Sequence, residues 1–112
     1  MQSPLPTDAA DLIAGRFRAL ADPTRLRLLD QLRRHEELSV GELTEALGTS
    51  QQNVSKHLGV LLRGGVVTRR KQGTSVYYGI ADDVVFRLCE EVCGSLEREV
   101  AALGDLLSAS RR

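Results

Sequence analysis

Tryptophan is absent from this 112-residue chain, and aromatic residues make up only 4% of it. That argues against an aromatic-lined ligand pocket and against a base-stacking platform for single strands. With only two cysteines, a disulfide scaffold is excluded. No run approaches the roughly 18 apolar residues that a membrane span needs. Met1–Asp11 has neither a basic segment nor an apolar one, so no secretory signal is expected and the chain reads as cytoplasmic. Histidine occurs twice, in separate elements. There is no Ser/His/Asp set and no Gly-rich phosphate loop, so no catalytic or cofactor-binding residues are assigned and an enzyme is not expected. Excess charge of either sign is missing too, since 15 basic residues balance 15 acidic ones. A chain of this length can bury about two thirds of its unfolded surface, enough for one core.

The balance conceals segregation. Residues 46–81 carry Lys56, Arg63, Arg69, Arg70 and Lys71 and no carboxylate. Residues 82–105 carry seven acids against Arg87 and Arg98. Surface charge is ordinarily mixed. An acid-free basic stretch is therefore read as a face for a polyanion, with the acidic stretch turned away from it.

Periodicity places the elements. Met1–Pro6 has no pattern and reads as a loose end. Thr7 or Asp8 is expected to cap a first helix with Ala9, Leu12, Ile13, Phe17 and Leu20 at helical spacing. Asp22-Pro23 opens a second, with Asp as N-cap and Pro in the first turn. Ser39-Val40-Gly41-Glu42 is a capping box for a short third helix, which Gly48 ends in a left-handed conformation. Thr49 or Ser50 caps a fourth, in which Val54, Leu58, Leu61 and Leu62 face inward, and Gly64-Gly65 stops it. The period then changes to that of strands. Val66–Arg70 and Ser75–Ile80 flank Lys71-Gln72-Gly73-Thr74, a hairpin signal with Gly73 supplying positive φ. Asp82 or Asp83 caps a last helix whose stripe runs through Val85, Leu88, Cys89, Val92, Leu96, Val100, Leu103 and Leu107. A stripe that long is too much for a small globule to cover alone, so a partner helix from a second copy is expected.

The fold class is therefore mainly α with a β-hairpin wing, in the order α-α-α-α-β-β-α. Residues 1–7 and 109–112 are tails around one DNA-binding and dimerisation domain at 8–108. The third and fourth helices form a helix-turn-helix. Ser50, Gln51, Gln52, Asn53 and Ser55 bring hydrogen-bonding groups to the start of the reading helix, where Gln and Asn can pair with adenine. Lys56 suits phosphate or guanine. Arg69, Arg70 and Lys71 on the wing can grip flanking phosphates or the adjacent minor groove. Besides an enzyme, the other alternative class is a winged helix that binds protein instead of DNA. Salt dependence separates the two, since phosphate binding must weaken with salt.

Three segments share a known pattern. Ala19–Leu29, beginning Ala-Leu-Ala-Asp-Pro-Thr-Arg, resembles the opening signature of the ArsR/SmtB family of bacterial transcriptional repressors. Ser50–Leu61 resembles that family's recognition helix. Gly64–Val67 with Gly73–Tyr78 resembles its wing. The likeness spans roughly residues 12–100, judged by linked motifs in order. It implies a homodimer joined through the first and last helices, binding to an inverted-repeat operator on double-stranded DNA, and release by an inducer.

The inducer is the open part. The resemblance implies metal sites that this chain lacks. Ser39 and Gly41 stand where a Cys-x-Cys pair would be, and of the last-helix Asp/His set only Asp82 matches, with Val84, Ser95 and Arg98 in the other places. His35 and His57 read as surface or packing residues. Cys89 and Cys93 remain, one turn apart on one face of the last helix. Two thiolates suit a thiophilic ion, so arsenite or antimonite, As(III) or Sb(III), and cadmium, mercury or zinc (Cd, Hg, Zn) are candidate inducers, with further ligands from the second copy or a small thiol. Thiol oxidation or reactive sulfur at the same pair is the competing reading. A repressor with no cysteine sensing, its cysteines merely packing, is the third.

Overall fold

In a computed structural model the residues described are 5–110. Of the two expected tails, residues 1–4 and 111–112 lie outside them. The chain divides into two units, one running to Asp82 and the other from Asp83 on.

The first unit holds α1 (Thr7–Leu20), α2 (Pro23–Arg34), β1 (Leu38–Ser39), α3 (Val40–Leu47), α4 (Gln51–Arg63), β2 (Val67–Gln72) and β3 (Ser75–Ile80). Most of its boundaries follow from local chemistry. Asp22 accepts a hydrogen bond from the Arg25 N–H with Pro23 in the first turn. Ser39 and Glu42 close the capping box reciprocally, at 3.1 and 2.9 Å. Gly48 ends α3 at φ 68°, a conformation costly for any residue with a Cβ. Ser50, and not Thr49, caps α4. The start of α1 departs from expectation. Neither Thr7 nor Asp8 caps it; the helix begins at Thr7 with Pro6 as the N-cap residue and no side-chain cap bond. The Pro6 carbonyl accepts from Ala10 N–H at 3.0 Å, so the first helical bond forms without a polar cap.

Leu28, Leu29, Leu32, Leu43, Leu58, Leu61, Val54 and Val66 are fully buried at the centre of this unit. Each contributes roughly 1.5–3 kcal/mol by leaving water. Where α4 ends against α1 the fit is close. A Cβ added at Gly64 would come within 2.7 Å of the Ala19 Cβ.

The hairpin of β2 and β3 pairs Arg69 with Tyr78, Arg70 with Tyr77 and Lys71 with Val76, and turns at Gly73, φ 61°. One strand was not expected from the sequence. β1 joins the open side of β3, pairing Leu38 with Tyr78 and Ser39 with Tyr77, so the sheet has three antiparallel strands in the order β1-β3-β2.

The second unit is α5 (Val84–Ser110), 27 residues and so about 40 Å long. The Asp83 carbonyl accepts from the N–H groups of Phe86 and Arg87 at its start. Along its length Leu88, Val92, Leu96, Val100, Leu103 and Leu107 are all exposed. A second exposed apolar set, Leu12, Ile13 and Phe17, belongs to α1 in the first unit.

Candidate nucleic-acid interface

The stripe Val54, His57, Leu58 and Leu61 is buried, which fixes the rotation of α4 about its axis. That rotation exposes Gln51, Gln52, Ser55 and Lys56 together. Two of the expected contact residues have local tasks as well. Ser50 Oγ accepts from the Asn53 N–H at 3.1 Å. The Asn53 side chain is half-buried and donates through Nδ2 to Thr49 Oγ1 at 3.2 Å. Asn53 therefore ties the turn to the helix start, while Gln51, Gln52, Ser55 and Lys56 present exposed polar ends with no partner among the described residues, the arrangement a reading helix needs.

The wing separates its three cations. Successive residues of a strand point to opposite faces, so Arg69 and Lys71 share one face and Arg70 takes the other. All three are exposed. Arg69, Lys71 and Lys56 carry no ion pair among the described residues. Arg70 is engaged. Its Nε and terminal amine meet Glu37 between 2.9 and 3.2 Å, and its other amine donates to Gln72 Oε1 at 2.7 Å. Its guanidinium also lies 5.0 Å from the centre of the Tyr77 ring directly across the hairpin. The Arg70 bond holds the Glu37 carboxyl below its ordinary range, and Glu37 in turn raises Arg70. Arg69 and Lys71 are thus open to an incoming phosphate, whereas Arg70 must first share or release a carboxylate.

Sequence reasoning gives Arg25 no role and reads His57 as a surface or packing residue; in the structure His57 is buried. Arg25 NH1 lies 3.1 Å from His57 Nδ1, which binds α2 to the inner side of α4. The Asp-Pro-Thr-Arg signature was the signal for it, but the partner is more than thirty residues away in sequence.

On α5, Cys89 is half-buried and Cys93 exposed, and neither is in a disulfide. Cys93 Sγ is 3.6 Å from Glu97 Oε1. Among the described residues no three His, Cys, Asp or Glu side chains come together as a metal site. No described helix is long and apolar enough to cross a membrane.

Comparison with known proteins agrees with this geometry. A helix-turn-helix domain family matches residues 20–70. A transcriptional repressor, the SmtB homolog of Synechocystis, is 42% identical over 80% of this chain and 67% of its own length. The solution structure of a homodimeric winged helix-turn-helix DNA-binding domain from Mycobacterium bovis, described as a possible ArsR-family regulator, superposes with TM-score 0.76 at 33% identity, over 88% of this chain and 91% of that one. The crystal structure of AntR, an antimony-specific transcriptional repressor, has the same TM-score, 0.76, at 30% identity, over 89% and 90% of the two chains.

Proposed function

This chain belongs to the ArsR/SmtB family of winged helix-turn-helix transcriptional repressors, and on that premise we propose that it binds an inverted-repeat operator as a homodimer and leaves it when an inducer binds. The observation that carries the reading is the set of four exposed polar side chains, Gln51, Gln52, Ser55 and Lys56, on a helix whose opposite face is locked in the core. They lie in a stretch with no carboxylate, followed by a wing whose Arg69 and Lys71 are unpaired among the described residues. Gln51, Gln52, Ser55 and Lys56 contact base edges and adjacent phosphates. Ser50 and Asn53 set the helix start, and Arg69, Arg70 and Lys71 hold the flanking backbone. Residues 8–108 act as one DNA-binding and dimerisation domain, in the cytoplasm and without catalysis. The second copy covers the exposed apolar faces of α1 and α5. That a similar structure is homodimeric supports the presence of a second copy.

The inducer is a thiophilic ion held by Cys89 and Cys93, with arsenite, antimonite, cadmium, mercury and zinc as the set to test. Support comes from two thiols at helical spacing in a chain with no others, and from the antimony-specific repressor among the similar structures. Binding across the dimer would shift α5 and respace the two reading helices, for which a few kcal/mol of coupling suffices. Fluorescence anisotropy on the DNA upstream of the protein's own gene tests all of this, with each ion and a disulfide oxidant titrated in turn. DNA binding should weaken steeply with salt. Release by one ion, lost in Cys89→Ser/Cys93→Ser, supports metal sensing. Release by oxidant alone makes the pair a thiol switch, and release by neither removes both cysteine readings. Binding that ignores salt, or none at all, would overturn the DNA assignment.

A further inference from the structure

His57 is the polar side chain found buried among the described residues, with 7% of its surface exposed. It lies one turn after Asn53 on the reading helix. Arg25 NH1 is 3.1 Å from its Nδ1. A guanidinium only donates, so as a hydrogen bond this contact needs Nδ1 to be the acceptor. The same guanidinium donates through Nε to the Ala19 carbonyl at 2.7 Å and through its other amine to the Arg18 carbonyl at 3.1 Å. Those carbonyls end α1, where the Arg18 carbonyl also accepts from the Ala21 N–H at 3.3 Å and Arg25 adds a second donor. The Arg25 backbone N–H is held by Asp22 Oδ1 at 3.1 Å, and that carboxylate oxygen lies 3.9 Å from His57 Nδ1. One guanidinium therefore gathers the end of α1, the start of α2 and the middle of α4.

We propose that Arg25 and His57 are positioning residues that seat the reading helix, and that a proton on His57 unseats it, so that DNA affinity falls in mild acid. The inference rests on the DNA-binding reading above. Among the described residues two charged groups lie against the ring: Arg25 from α2 and Asp22 from the corner between α1 and α2. A proton taken from solvent onto Nδ1 removes the acceptor that Arg25 uses. It also sets an N–H against an N–H donor and places two cations in contact. The remaining acceptor is Asp22, and the ring must turn away from Arg25 to reach it, competing for the oxygen that caps α2. The sign is diagnostic. Added positive charge on a DNA-facing helix, acting by charge alone, strengthens phosphate binding. Unseating weakens it.

The test uses the full chain, anisotropy on the DNA upstream of its own gene at fixed salt, and a pH range from about 7.5 to 5.5. Wild-type affinity should fall about tenfold, the order set by losing one hydrogen bond to a charged group. His57→Asn puts a carbonyl oxygen where Nδ1 was. It can still accept from Arg25 but cannot titrate, and its affinity should stay within about twofold over the range. NMR of the imidazole nitrogens gives a readout that needs no DNA. The ring should be the Nε2–H tautomer, and backbone amides of α4 should shift with the ring's own midpoint. A rise in wild-type affinity toward acid, the same fall in His57→Asn, or an Nδ1–H tautomer would overturn the proposal. If the chain binds no DNA at any pH, the DNA-binding reading fails by itself. The NMR titration then decides this proposal, with α4 amides that ignore the ring counting against it.

Discussion

Helices α4 and α5 carry apolar stripes of the same period, yet the two finish differently. In α4 the stripe residues Val54, Leu58 and Leu61 are fully buried within the chain's own core. In α5 the stripe from Leu88 to Leu107 stays exposed over most of the helix. Period alone reports that a helix has an apolar face; it does not report which chain covers that face. A helix whose partners are all in cis is held in one rotation whatever the protein concentration. A helix whose partner is in trans acquires its environment by mass action. On the proposed reading, the helix assigned to DNA belongs to the first kind, and the helix that carries the two cysteines to the second.

The sharpest way to break the comparison is to charge the α5 stripe. Leu96→Glu/Val100→Glu should give a monomer by analytical ultracentrifugation at micromolar concentration. Operator affinity should drop by about a hundredfold or more as the second half-site contact ceases to be intramolecular. A dimer that survives this change would mean that other surfaces join the copies. Next comes Leu58→Ala in the core, which should cost about 2–5 kcal/mol in denaturant titration. That loss should be the same when measured in the charged monomer. Ser39→Ala removes the cap of α3 and should cost about 1 kcal/mol in the same experiment.

Smaller effects separate the faces of the wing. Lys71→Ala should lower the slope of log affinity against log salt by about one. Arg70→Ala should lower it by less, because Arg70 already carries Glu37 as a counter-ion. Equal slopes would show that the pair opens on DNA. The smallest effect is on stability in acid. Asp22 is held below its ordinary pKa chiefly by the Arg25 backbone N–H, Glu37 by Arg70, and Glu42 by the Ser39 backbone and hydroxyl. The folded chain therefore binds fewer protons at these groups than the unfolded one. Their contribution is complete above the ordinary carboxylate range, near pH 4–4.5, and is lost as pH falls through the lower folded values. Thermal melts should show that decline in the wild type, and a shallower one in Glu42→Gln.

What the sequence made legible was whatever depends on neighbours in the chain. The capping box at Ser39, the left-handed Gly48, the turn at Gly73 and the inward set Val54, Leu58 and Leu61 are each readable within a few residues, and each is present. The features it hid depend on distant partners. β1 is two residues long and overlaps a capping box, so it shows no strand pattern of its own; it exists because the edge of β3 is there to pair with. Arg70 looked identical to Arg69 and Lys71 as one of three cations in a row. Only the hairpin's alternation and the approach of Glu37 set it apart. The Arg25–His57 contact likewise joins residues that no local window holds together.

The pairing of Leu38 with Tyr78 also fixes an order of events as the polypeptide is made. Both helices of the helix-turn-helix lie between those two positions, so they are synthesised before the strand that will close over them. Such a distant pairing carries the loop-closure entropy that slows folding, whereas helices form from local contacts early. In a nascent chain the segment of α4 is therefore complete before its wing, and the apolar face of α5 follows both.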